Sequence, residues 1–217
     1  MNQWVRLAPA LLLIAWLSSA AQDAARAEHN FEITPYYGYR LGGELEDIEF
    51  PNVDSLEIED GSALGIIVSY SVHDNGQIEF QYSHQSTELK GNGDVFSSSN
   101  LVLTDLDVDW WLVGGNYTAG ARRDPLRGFI GFSLGMTDLD PKEPAFDGDS
   151  LFAFSFYGGF KAALAERIGL RFQVQWVAAL FDSENDAFCS SAGFCFLVTE
   201  SQYLDQFELS AGMIIKI

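Results

Sequence analysis

The sequence predicts an all-β protein, an eight-stranded antiparallel transmembrane β-barrel with short periplasmic turns and longer acidic outer loops. Three observations predict it. Apolar residues recur at every second position in eight segments, the mark of a strand with two unlike faces. Past residue 27 no apolar run is long enough for a membrane-spanning helix. The connections alternate between short turns and long polar stretches, as the two ends of such a barrel require. A soluble sandwich would show the same period of two, so the polar parity decides. It carries small residues and charges of both signs (Glu32, Arg40, Glu79, Lys161, Arg171, Glu208 and Lys216 among them) that can pair across a narrow lumen. The other parity is left as a band of large apolar side chains suited to lipid, and closure of the sheet removes any unpaired edge from hydrocarbon.

In chain order, residues 1–27 read as a cleaved signal peptide: Arg6 is charged, Leu7 to Ala21 is apolar, and Ala25-Arg26-Ala27 fits the small-x-small rule, with Ser19-Ala20-Ala21 as a second cleavage site. Residues 28–217 form the barrel domain. Its first strand sets Phe31, Ile33, Pro35, Tyr37 and Tyr39 against Glu32, Thr34, Tyr36, Gly38 and Arg40. The second uses Leu64, Ile66, Val68 and Tyr70. An Asn75-Gly76 hairpin signal leads to the third, with Ile78, Phe80 and Tyr82. In the fourth, Leu106, Val108, Trp110 and Leu112 form the apolar parity, which assigns Asp105, Asp107 and Asp109 to the lumen. The remaining strands place Ile130 to Met136, Phe152 to Phe160, Ile168 to Trp176 and Phe207 to Ile217 on the lipid side. The long connections fall near 43–61, 88–101, 138–149 and 181–202.

"FEITPYYGYRLGG" at 31–43, "IEFQYSHQST" at 78–87 and the closing "FELSAGMIIKI" at 207–217 resemble the small eight-stranded outer-membrane barrel proteins, the group that includes the transmembrane domain of OmpA, OmpX and OmpW. The resemblance implies a location in the bacterial outer membrane, a monomer, and contact with the lipid bilayer and lipopolysaccharide. It also implies a last strand read by the outer-membrane assembly machinery through Phe207, Leu209, Met213, Ile215 and Ile217, with Ile217 standing where an aromatic is common.

Composition narrows the function. From 12 basic and 31 acidic residues, loss of Arg6, Arg26 and Asp23 with the signal leaves 10 against 30, a net charge of −20. So acidic a chain has no footprint for nucleic acid. Cys189 and Cys195 suit a disulfide closing a small loop in an exported protein. No cofactor is expected.

Four groups of residues carry candidate chemistry. Glu44, Glu46, Asp47, Glu57, Glu59 and Asp60 crowd the first loop and are candidates for Ca²⁺ or Mg²⁺, although the spacing fits no EF-hand and a solvated acidic loop explains it as well. Asp105, Asp107 and Asp109 are expected to pair with Arg40, Lys161 and Arg171 in a lumen network, with a narrow ion or small-solute channel as the alternative. Tyr36, Tyr37, Tyr39, Trp110, Trp111, Tyr117, Tyr157 and Trp176 read as interface girdles. Finally, His84 and Ser86 sit on the lipid-side parity at the outer end of the third strand. This His-x-Ser pair resembles the lipid A deacylases of the PagL kind, with Glu88 as the acid and Thr87 where that motif has Asn. The expectation is a non-catalytic envelope protein meeting its surroundings through its outer loops, by lipopolysaccharide, cations or adhesion. The alternatives are a channel and a lipid A deacylase-like hydrolase.

Overall fold

The computed structural model describes residues 30–50, 53–92, 101–121, 124–143, 148–181, 187–189, 195–196 and 203–217. The signal-peptide reading lies outside them. Among the described residues are twelve strands: β1 Phe31–Leu41, β2 Glu44–Phe50, β3 Val53–Ile58, β4 Gly61–Ser71, β5 Gly76–Asn92, β6 Leu101–Thr118, β7 Leu126–Pro141, β8 Asp149–Ala163, β9 Ile168–Leu180, β10 Ala187–Cys189, β11 Cys195–Phe196 and β12 Tyr203–Lys216. Eight of these, in the order β5-β4-β1-β12-β9-β8-β7-β6, form an antiparallel ring that β5–β6 pairing closes. β12 seals the barrel between β1 and β9. The first long connection is not a plain loop: β2 and β3 form a hairpin that pairs through β3 with the upper part of β5, Ile58 opposite Leu89.

The short turns are built from backbone chemistry. Val72 N–H donates to Gly76 O at 3.0 Å in the Asn75-Gly76 turn, and Asn75 Nδ2 reaches across to Thr118 O at 2.6 Å. In the next turn Gly120 has φ of 96°, a left-handed conformation that a side chain would strain. Two interior joints also need glycine. The ring of Tyr36 lies over Gly65 and that of Tyr157 over Gly131, in space that a Cβ would occupy.

Two storeys stack along the barrel axis. In the lower one the outward face is apolar. On β1 it runs from Phe31 to Leu41, about 33 Å along the strand and about 25 Å along the axis at the usual tilt, which matches a bilayer core. Its lumen is polar and filled. Arg171 pairs with both carboxylate oxygens of Glu79, which also accepts from Tyr157 and Ser69 hydroxyls at 2.8 Å; Lys161 Nζ donates to Glu32 at 3.1 Å. Higher up, Arg40 donates to Glu208 at 3.0 Å and to Ser83 Oγ at 2.6 Å, and its guanidinium lies 3.3 Å from the centre of the Trp110 ring.

Above Trp110 the faces exchange roles. Leu106, Val108, Leu139 and Leu204 pack in an apolar core with Ile58 and Leu89, joined from just below Trp110 by Leu112, while Asp105, Asp107, Asp109, Asp138 and Asp140 face outward. This corrects the expected lumen network: Asp105, Asp107 and Asp109 are not in the lumen. Arg40, Lys161 and Arg171 are, but their partners are Glu208, Glu32 and Glu79. The reason is solvent. A wall bathed in lipid must be apolar outside, whereas the same wall continued into water needs its apolar side inward. The girdle reading is corrected at Tyr36, Trp110 and Tyr157, which are buried in the lumen, while Tyr37, Tyr39, Trp111 and Tyr117 are exposed on the outer face.

Candidate functional site

The boundary between the storeys can be followed around the outside of the wall. Tyr82, Trp111, Met136, Phe152 and Leu180 stand opposite one another on consecutive strands as the uppermost apolar row. One step higher the row reads His84, Asp109, Asp138, Ser150, and above that Ser86, Asp107, Asp140. On these strands the polar rows therefore lie immediately beyond the last apolar row, toward the outer loops.

Three side chains form a line there. His84 and Ser86 share the outward face of β5 because residues two apart on a strand point the same way. Register then places Asp109 opposite His84 and Asp107 opposite Ser86 on β6. Asp109 Oδ1 lies 2.8 Å from His84 Nδ1 and also accepts from Tyr82 Oη at 2.9 Å. With Nδ1 donating to that carboxylate, Nε2 is left as the basic nitrogen, and it lies 3.3 Å from Ser86 Oγ. A serine, a histidine and a carboxylate that orients the histidine thus stand in the order that nucleophilic catalysis would use. His84 is 38% and Asp109 25% exposed, so the line is open to its surroundings. Ser86 Oγ has a second neighbour, donating to Asp107 Oδ1 at 2.8 Å. Lys142, just past β7, bonds to Asp107 and lies 4.0 Å from Asp140; the hydrogen bond to Asp107 raises the pKa of its ammonium.

The acid differs from the one expected. Glu88 stands opposite Asp105 and lies 3.8 Å from Lys90 Nζ, while Asp109, reached only through strand pairing, orients His84. Sequence adjacency favoured Glu88, and cross-strand register is not written in one strand alone. The line-up has one sequence signal: Asp107 and Asp109 repeat the two-residue spacing of His84 and Ser86 on the neighbouring strand.

The other candidates do not converge. Glu59 pairs with Lys90 at 2.6 Å, Asp60 accepts from Gly42 N–H at 2.6 Å, and Glu57 is exposed; side chains of Glu44, Glu46 and Asp47 lie outside the described residues. Among the described residues no three metal-ligating side chains gather at one point. Cys189 and Cys195 are opposite each other on the β10–β11 backbone, their sulfurs lying outside the described residues. Phe207, Leu209, Met213 and Ile215 face outward on β12, and Ile217 N–H donates to Phe31 O at 2.9 Å.

A family model described as the outer membrane protein beta-barrel domain matches residues 10–193. A comparison with curated proteins gives no match. Among solved structures, OprG from Pseudomonas aeruginosa is similar with a TM-score of 0.63 at 12% identity, covering 87% of this chain and 96% of that one. The outer membrane protein AlkL gives a TM-score of 0.55 at 17% identity, covering 87% and 91%, and Neisserial surface protein A gives 0.54 at 13%, covering 86% and 97%. At such identities the likeness is one of fold.

Proposed function

Since this chain belongs to the outer membrane protein beta-barrel family and so resides in the bacterial outer membrane, we propose that it acts on the outer leaflet from the outside of its wall, cleaving an acyl ester of a neighbouring lipid. One observation carries the reading: Ser86, His84 and Asp109 line up within hydrogen-bond reach immediately above the last apolar row. An ester bond joining an acyl chain to a headgroup lies at that depth, so substrate reaches Ser86 by lateral diffusion. Ser86 Oγ attacks the ester carbonyl as its proton passes to His84 Nε2. The carbon–oxygen bond then breaks, and the leaving alkoxide takes that proton. Water repeats the sequence on the acyl-serine, releasing the fatty acid. Asp109 holds the tautomer throughout.

The lumen supports an outward site. Arg40, Glu208, Arg171, Glu79, Lys161 and Glu32 fill it in pairs, which speaks against the channel. The test is incubation of the folded barrel with extracted outer-membrane lipid. Fatty acid should be released by the wild type and not by Ser86→Ala or His84→Ala; equal release by all three would remove the reading.

A second, non-catalytic reading keeps the surface role originally expected. Like charges face each other at Glu88 and Asp105, Asp107 and Asp140, and Asp109 and Asp138. Their repulsion would be relieved by divalent cations, which also hold the phosphates of lipopolysaccharide. On that reading Ca²⁺ raises the unfolding temperature of the wild type, and Asp138→Asn with Asp140→Asn reduces the rise. No Ca²⁺ effect would end it.

A further inference from the structure

Ser86 has one hydroxyl hydrogen and two acceptors within reach. Asp107 Oδ1 is at 2.8 Å, inside the range of a good bond, while His84 Nε2 is at 3.3 Å, at its outer edge. The acceptors also differ in kind. A carboxylate takes a charge-assisted bond, stronger than the neutral bond that an imidazole accepts. The resting hydrogen therefore belongs to Asp107, and the serine is turned away from its base. We infer that Asp107 is a positioning residue that latches the Ser86 hydroxyl off His84, with Lys142 setting the strength of the latch. The inference rests on the hydrolytic reading of Ser86, His84 and Asp109.

The two aspartates are alike in sequence and separated in role by register. Asp109 is opposite His84 and is occupied by Nδ1 and by Tyr82 Oη. Asp107 is opposite Ser86, its side chain only 17% exposed, and is shared between the serine and Lys142. The ammonium draws part of the carboxylate's charge to itself. Removing it leaves Asp107 a better acceptor and the serine more firmly held. Removing Asp107 leaves Nε2 as the serine's remaining acceptor of the two. Asp107→Ala and Lys142→Ala should therefore act in opposite directions, although they delete the two halves of one ion pair. Were the pair only a brace between β6 and the chain after β7, both deletions would loosen the site alike. Opposite signs are what a brace cannot give.

The experiment uses the full barrel, folded in detergent and checked by its mobility before and after heating. The rate at which a fluorophosphonate probe labels Ser86 is measured for the wild type, Asp107→Ala, Lys142→Ala and Ser86→Ala. The expected result is labelling about five- to tenfold faster in Asp107→Ala, the ratio between a charge-assisted and a neutral hydrogen bond, and slower in Lys142→Ala. Labelling slowed or unchanged in Asp107→Ala, with Ser86 still reactive in the wild type, overturns the latch and leaves the hydrolytic reading standing. Labelling no faster than that of Ser86→Ala in every variant overturns both.

Discussion

Trp110 and Trp111 are neighbours in sequence and face opposite worlds. Trp110 is fully buried beneath Arg40, while Trp111 is exposed, its ring 4.3 Å from that of Tyr82. The pair marks the point at which β6 leaves one solvent for another. The residues below it, Val113 and Tyr117 outward against Asn116 and Thr118 inward, follow the same polar-lumen rule as the other strands. Those above reverse it. A single alternating pattern cannot report this, because period two is kept while its meaning inverts; the adjacent tryptophans are the trace that remains. At this scale the roles of charged residues can be tested separately. Asp109→Asn should lower ester hydrolysis about a hundredfold or more by releasing the His84 tautomer, measured as fatty acid release. Glu79→Gln leaves Arg171 and Lys161 short of a counter-charge in the lumen. It should cost about 3–5 kcal/mol of stability in urea unfolding from lipid vesicles, far more than any outward carboxylate.

At the level of elements, the barrel strands were legible because period two survives in each, although on the upper half of β6 the two faces are exchanged. The closing strand, the first strand and the Asn75-Gly76 turn stand where alternation and turn chemistry put them. The hairpin of β2 and β3 was not legible. Its acidic residues read as a solvated loop, and what makes it a hairpin is pairing with β5, a distant partner. The candidate site divides in the same way. His84 and Ser86 came from spacing on one strand; Asp109 needed the register of two. The exchange of faces along β6 predicts a labelling pattern in a Cys189→Ser, Cys195→Ser background. Asp107→Cys should react with a membrane-impermeant maleimide on intact cells, and Val108→Cys should not; the reverse would return Asp107 to the lumen. In the last connection, Cys189 and Cys195 stand opposite each other on paired strands, the arrangement from which we propose a disulfide. Alkylation of the unfolded native protein without reductant should then modify neither cysteine.

As a whole molecule, the protein is a closed, filled cylinder with two interiors. Ion pairs occupy the part inside the bilayer, and an apolar core stiffens the part above it, where β5 continues about 20 Å along the axis past His84. This build explains how outward polar chemistry can be held rigidly just above the apolar row, since His84, Ser86, Asp107 and Asp109 all sit on regular paired strands. It also predicts a silent planar bilayer; discrete conductance steps would mean that the Arg40–Glu208 and Arg171–Glu79 pairs open. Hydrolysis at Ser86 is read most directly from the mass spectrum of outer-leaflet lipid from cells overproducing the wild type or Ser86→Ala. A lipid lighter by one acyl chain is expected with the wild type and not with the variant. Identical spectra from the two strains would contradict it.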